Sequence, residues 1–192
     1  MLVCQEITSS WGGIVNSKFE NDLRECCKAT ADFLRGKNVD YNKPRRKEER
    51  SYGGERELVA EVYRLLIGKN ISYGDKLFFE AIRLDKGKNS GRLIPDLVYR
   101  NGNLEKCVME VKAPENSRAN GSELPYKSDM DNIKSDYEKL KENYTQFDTK
   151  FLIVAYLGDP ILENGNEFPV EDFEKRVHSE FPDKGKIKVI VC

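Results

Sequence analysis

Histidine is almost absent from this chain of 192 residues, in which His178 is the only one. A Ser-His-Asp or Cys-His catalytic site would depend on that single residue, and zinc sites with two histidine ligands are excluded. We expect His178 to lie on the surface of a C-terminal helix. Any chemistry that this chain performs must therefore rest on carboxylates, lysine and arginine.

Paired cysteine motifs are also missing. The chain has five cysteines, an odd number, and none of them belongs to a CxxC motif. Cys26 and Cys27 are adjacent on a predicted helix, whereas Cys107 and Cys192 fall in predicted strands. We expect reduced cysteines that pack as small hydrophobic side chains in a reducing compartment.

The sequence has no long hydrophobic run. The longest, residues 151–157, is far short of the ~20 residues that span a bilayer. The N-terminus has no basic segment and reaches Glu6 before any long apolar stretch, unlike a signal peptide. We therefore expect a cytoplasmic protein without a membrane partner.

Hydrophobic periodicity predicts an α/β protein, with a mixed sheet flanked by helices. The predicted helices are 17–35, 55–67, one that starts at Ser128, and 169–181; the predicted strands are 76–84, 92–100, 104–113, 151–157 and 186–192. We predict that residues 1–50 form an N-terminal helical extension with a basic linker. Residues 51–192 would form the core, with a helix and a strand added at the C-terminus.

Charged residues meet on the hairpin formed by the second and third predicted strands. Glu110 and Lys112 share one face of the third strand, because side chains alternate along a strand. A three-residue turn at 101–103 would put Asp96 opposite Val108 and on that same face, whereas a two-residue turn would reverse the parity. Two carboxylates and a lysine together suit a hard cation such as Mg²⁺, and we expect Mn²⁺ to substitute.

The preceding helix offers a third carboxylate. Its apolar face centres near Val62, and Glu55 points along that face at the helix start. Two simpler interpretations remain open at this stage. Glu55 could be a first-turn carboxylate favoured by the helix dipole, and the hairpin residues could be a solvated sheet face with an ordinary Glu–Lys pair.

The motif Pro95-Asp96, followed after 13 residues by Glu110-Val111-Lys112, resembles the PD-(D/E)xK nuclease superfamily. The element order from about 55 to 157 is similar to its α-βββ-α-β core, and ERELV, the start of the second helix, is similar to the helix start of archaeal Holliday-junction resolvases. The resemblance implies a restriction endonuclease-like fold with Asp96, Glu110, Glu55 and the Val111 carbonyl as metal ligands. It also implies that Lys112 orients or activates the attacking water. The long separation between Glu55 and Asp96, and the extra helix before the core, depart from the resolvase pattern, so only the superfamily chemistry is carried over.

The function expected from this resemblance is Mg²⁺-dependent endonucleolytic hydrolysis of DNA, duplex or branched, in restriction, repair or defence. A homodimer is expected, because cutting two strands needs two active sites. The alternative is a catalytically inactive nucleic-acid-binding or scaffolding protein of the same fold. An RNA substrate also remains open.

The net charge of −1 is the sum of a basic N-terminal part and an acidic C-terminal part. Residues 1–112 carry 21 basic and 17 acidic side chains, a net charge of +4, whereas residues 113–192 carry 11 and 16, a net charge of −5. Phosphate contacts are therefore expected from basic residues around the motif, although those before residue 56 could equally form a solvated linker. The expected DNA-binding residues are Arg45, Arg46, Lys47, Arg56, Lys86, Lys88, Arg92 and Arg118.

Overall fold

The computed structural model describes residues 12–36, 54–79, 94–102, 105–114, 127–157 and 170–192. Within these ranges the chain forms four α-helices and a five-stranded mixed sheet, which confirms the predicted α/β class. The helices are α1 (Gly12–Gly36), α2 (Gly54–Lys69), α3 (Lys127–Asn143) and α4 (Val170–Glu180), with a 3₁₀ helix at Ile71–Tyr73. The strands are β1 (Leu77–Phe79), β2 (Leu97–Asn101), β3 (Glu105–Lys112), β4 (Thr149–Val154) and β5 (Ile187–Val191).

The strands are arranged in the sheet in chain order, β1 to β5. The first three strands pair antiparallel, whereas β4 pairs parallel to β3 and β5 parallel to β4. Parallel neighbours need a crossover connection, and α3 and α4 supply the two crossovers. The carboxyl ends of β3 and β4 consequently meet at one edge of the sheet.

Hydrophobic side chains form a core on each face of the sheet. On one face α1 and α2 pack against alternate residues of β2 and β3, including Met109 and Val111. On the other face α3 and α4 pack against the intervening residues, including Val108 and Leu152. All six residues of β4 are buried, including the polar Thr149 and Lys150. Its apolar part, residues 151–154, is continuous, as expected for a strand covered on both faces.

The turn between β2 and β3 lies one residue later than predicted. Asn101 remains in the strand and pairs with Glu105, so the turn falls between these two residues. Gly102 takes a positive φ of 59°, which a glycine adopts without steric cost.

The predicted hairpin register was therefore wrong by two residues. Val98, and not Asp96, lies opposite Val108. Extending the observed register by one pair places Asp96 directly across from Glu110. Side chains alternate with a period of two, so this shift leaves Asp96 on the predicted face of the sheet.

Helix α1 is part of the main core. Phe19 is 1% exposed, and its ring stacks on Tyr99 of β2 with centroids 4.1 Å apart. The end of the predicted extension, at residue 50, lies outside the described residues. None of the helices in the described part of the chain has the length and hydrophobicity needed to span a bilayer.

The four cysteines in the described residues form no disulfide bond, and three of them are buried. Burial raises the pKa of Cys26 to about 11 and that of Cys27 well above the usual range. These thiols stay protonated at neutral pH and pack as hydrophobic side chains.

Candidate active site

The structure brings the four predicted catalytic side chains to one end of the sheet, at the open end of the β2–β3 hairpin. Asp96 immediately precedes β2, Glu110 and Lys112 lie near the end of β3, and Glu55 is in the first turn of α2. This is also the edge where the carboxyl ends of β3 and β4 meet, a common position for ligand sites in parallel α/β sheets.

Asp96 is tied to the backbone of the neighbouring strand. Its Oδ2 accepts a hydrogen bond of 2.7 Å from the Val111 amide. The register would place Pro95 opposite Val111, and proline has no N–H to donate to the Val111 carbonyl. The side chain of Asp96 thus replaces a backbone acceptor, and Pro95 leaves the Val111 carbonyl without a donor from residue 95.

Glu110 is almost fully buried, with 2% of its surface exposed. Its Oε1 lies 2.7 Å from Lys139 Nζ and accepts a hydrogen bond of 2.5 Å from the Tyr144 hydroxyl. Burial raises the pKa of Glu110, although Lys139 and Tyr144 act in the opposite direction.

Lys112 lies between two carboxylates. Its Nζ is 3.2 Å from both carboxylate oxygens of Glu55 and 3.0 Å from Asp136 Oδ2. Burial alone would lower the pKa of Lys112, but the carboxylates of Glu55 and Asp136 outweigh it and raise that pKa above its usual value. The lysine therefore stays protonated at neutral pH in this arrangement.

The carboxylates of the site are difficult to ionise together. Burial, followed by the negative charge of Glu110, raises the pKa of Asp96 to about 7. Burial also raises the pKa of Glu55. The six described side chains of this cluster comprise four carboxylates and two ammonium groups, which leaves a formal deficit of two positive charges: Glu55, Asp96, Glu110, Asp136, Lys112 and Lys139.

The sequence did not predict two members of this cluster, Asp136 and Lys139, or the Tyr144 hydroxyl that contacts Glu110. Asp136 follows Ile133 by three residues and precedes Leu140 by four, so it lies on the inward face of α3. A charged side chain on an otherwise apolar helix face was the signal available in the sequence. Lys139 lies one turn after Asp136 and is a second charged side chain near this face, which is a weaker indication of the same kind.

A cavity of about 110 Å³ opens beside Lys112, which is room for several water molecules. It lies between the start of α2, the end of β3 and α3. Its lining residues are Glu55, Lys112, Ala113, Pro114, Asn132 and Ile133.

The donor set at Asp96 and Glu110 consists of oxygen atoms. A carboxylate just before β2 and one on β3, with the Val111 carbonyl next in sequence to Glu110, fit the preference of Mg²⁺ for hard ligands and few protein contacts. Glu55 is instead engaged by Lys112. Among the described residues, no group of three or more His, Cys, Asp or Glu side chains is arranged to hold a metal ion.

Of the eight predicted DNA-binding residues, Arg56 alone lies within the described ranges. It is exposed on α2, next to Glu55 in the sequence. The other seven lie outside the described residues: Arg45, Arg46, Lys47, Lys86, Lys88, Arg92 and Arg118.

Comparisons of the chain with models of known protein families, with curated proteins and with solved structures find no match.

Proposed function

We propose that this chain is a metal-dependent DNA endonuclease of restriction endonuclease-like fold. The observation that carries the proposal is the charge deficit of the carboxylate cluster, in which four buried or half-buried carboxylates face two ammonium groups. One divalent cation supplies the two missing charges. The order from α2 through β4, helix, three strands, helix and strand, supports the fold assignment.

Asp96, Glu110 and the Val111 carbonyl are the residues proposed to hold Mg²⁺, with Mn²⁺ as a substitute. The bound cation supplies a Lewis acid that promotes deprotonation of water and neutralises charge on the phosphate. Glu55 is a further candidate ligand, although Lys112 now occupies its two oxygens.

Lys112 supplies a fixed positive charge at the edge of the cavity. A protonated lysine does not accept a proton from water, so its role in this arrangement is to orient water and to stabilise negative charge that develops on the phosphate. Asp136 holds the ammonium in place from α3. Lys112 is thus proposed as an electrostatic group in catalysis.

DNA is the proposed partner, with phosphate contacts from Arg56 and from the other basic residues near the motif. Each neutralised phosphate releases counterions, so binding should weaken steeply as salt increases. A homodimer is proposed for cutting duplex DNA, because each protomer contributes one site.

The test is cleavage of supercoiled, linear, branched and single-stranded DNA with Mg²⁺ or Mn²⁺. We expect Asp96→Asn and Lys112→Met each to lower the cleavage rate about 100-fold or more, as is typical when an electrostatic catalytic group is removed. Glu57→Gln, an exposed carboxylate in the same first turn as Glu55, is the matched control and should cleave like the wild type. Cleavage by Asp96→Asn at the wild-type rate, or no cleavage of any substrate, would refute the proposal.

A second function, nucleic-acid binding without catalysis, is favoured by one specific observation. Both lysines of the cluster already form ion pairs with its carboxylates, as in a purely structural network. This alternative predicts DNA binding that is independent of divalent cations. An RNA substrate is distinguished by running the same assay with single-stranded and duplex RNA.

A further inference from the structure

Lys139 forms an ion pair with the carboxylate of Glu110, which is one of the proposed ligands of the cation. Its Nζ lies 2.7 Å from Glu110 Oε1 and 3.9 Å from Asp136 Oδ1. Glu110 is 2% exposed, and a buried carboxylate needs a compensating charge or a proton. In the metal-free protein Lys139 supplies that charge.

The two side chains that contact the Glu110 carboxylate differ in how freely they can move away from it. Tyr144 is fully buried, and its ring packs edge-to-face on Phe147 at 5.9 Å, so its hydroxyl is held in place. Lys139 is 24% exposed at the side chain and sits on a long flexible stem. A lysine of this kind can turn its ammonium to solvent while the helix stays where it is.

We propose that Lys139 is an internal cation that occupies Glu110 in the metal-free protein and is displaced when a divalent cation binds between Asp96 and Glu110. The inference rests on the cation site of the proposed function. Lys139 is thus a positioning residue: it holds the carboxylate of Glu110 in place, and its competition sets the affinity for the cation.

Asp136 gives the displaced ammonium a second partner. Asp136 is one helical turn before Lys139, and its Oδ1 is already 3.9 Å away. Its Oδ2 simultaneously holds Lys112. Once turned to solvent on the same helix, the Lys139 ammonium would stay near the carboxylate that positions Lys112, so cation binding would be coupled to the position of Lys112.

The first test measures the affinity for Mg²⁺ and Mn²⁺ by calorimetry at pH 8, without DNA. Removing the competing charge by Lys139→Met should tighten cation binding about tenfold or more, because a positive charge next to the ligand carboxylate opposes a dication. Lys139→Arg, which keeps the charge, should bind close to the wild type. Lys141→Met, an exposed lysine of the same helix paired with Glu138, is the control and should also match the wild type.

The second test asks whether Lys139 leaves Glu110. The rate of acylation of individual lysines is followed by mass spectrometry with and without Mg²⁺. We expect Mg²⁺ to raise the reactivity of Lys139 severalfold and to leave that of Lys141 unchanged. Tighter binding in Lys139→Met without this rise would mean that Lys139 stays on Glu110, which overturns displacement.

The outcomes separate this inference from the proposed function. If the wild type binds cations and Lys139→Met binds them equally or more weakly, the competition by Lys139 is refuted while the cation site stands. If no variant binds a cation, the proposed function fails together with the inference. The increase in cation affinity expected for Lys139→Met must also disappear in the double variant that carries Asp96→Asn as well. An increase that persisted in the double variant would arise at another site.

Discussion

At the scale of single residues, Asp96 has the least compensated charge of the site. Its Oδ2 accepts a hydrogen bond from the Val111 amide, and Glu110 lies opposite it on the neighbouring strand. Burial and the charge of Glu110 raise the pKa of Asp96 to about 7, against 3.8 for an ordinary aspartate. The proposed cation would remove this repulsion between the two carboxylates.

The pKa of Asp96 predicts a dependence of stability on pH. Between pH 3.8 and about 7 the folded state holds the Asp96 proton and the unfolded state has lost it, so stability decreases as pH rises through this window. Asn cannot ionise but keeps an oxygen acceptor for the Val111 amide. We expect Asp96→Asn to raise the free energy of unfolding by on the order of 2 kcal/mol at pH 8, with the gain fading as the pH falls from about 7 towards 3.8.

Urea unfolding at several pH values in EDTA measures this effect. Asp131→Asn, on the exposed face of α3, is the control for the loss of a carboxylate. A gain from Asp96→Asn that is equally large at pH 4.5 and pH 8 would contradict a shifted pKa as its cause.

At the scale of elements, the β2–β3 hairpin sets the distance between the two carboxylates. Its turn decides which residue of β3 lies across from Asp96, and a slip by one residue would move the carboxylate to the opposite face. Gly102 is the position that allows the observed turn, because its φ of 59° is unfavourable for residues with a side chain.

Alanine should have opposite effects at two glycine positions, Gly102 and Gly68. Gly102→Ala should lower the free energy of unfolding by about 1 kcal/mol, since the left-handed conformation costs an L-residue about 1–2 kcal/mol. Gly102→Asn should cost less, because asparagine tolerates this region. Gly68→Ala, in α2 with nothing within 4 Å of the added carbon, should raise stability by up to about 1 kcal/mol.

Thermal unfolding of the three variants measures these differences. A Gly102→Ala protein as stable as the wild type would indicate that the turn has another conformation.

At the scale of the whole molecule, α1 and the sheet share one hydrophobic core. Phe19 contacts three aromatic rings from different parts of the chain: it stacks on Tyr99 and meets Tyr73 and Phe151 edge-on, with centroids 5.5 and 6.3 Å away. Tyr73 in turn donates a hydrogen bond of 2.7 Å to Asp22 Oδ2 of α1. These contacts tie α1 to the sheet that carries the site.

Truncation of Phe19 should consequently destabilise the whole protein. Phe19→Ala leaves a cavity among three rings and should lower the free energy of unfolding by about 3–5 kcal/mol. Phe33→Ala, on the same helix but 49% exposed, should cost less than about 1 kcal/mol. Denaturant unfolding by circular dichroism should give one transition for both variants; an early separate loss of α1 in Phe19→Ala would contradict a shared core.

The sequence alone determined the class of fold and the members of the motif. The period of 3.6 in the helices and of two in the strands sets which face of an element is buried, so the helices, the buried strand β4 and the shared face of Glu110 and Lys112 were all predictable. The face of Asp96 depended in addition on the length of the turn. Glu55 was placed near the sheet by the same geometry. These features follow from the periodicity of hydrophobic and polar residues within short segments, so they can be predicted without knowing the tertiary contacts.

Only the tertiary structure decided which side chains meet. The partners of Lys112 and Glu110 lie far away in sequence, with separations of 57 residues to Glu55 and 34 between Glu110 and Tyr144. The hairpin register depended on the conformation of one glycine, and Asp136 and Lys139 entered the site through the packing of α3 across β3. Periodicity specifies the face of an element but not its position along a neighbour, and that position is set by the packing of the complete core.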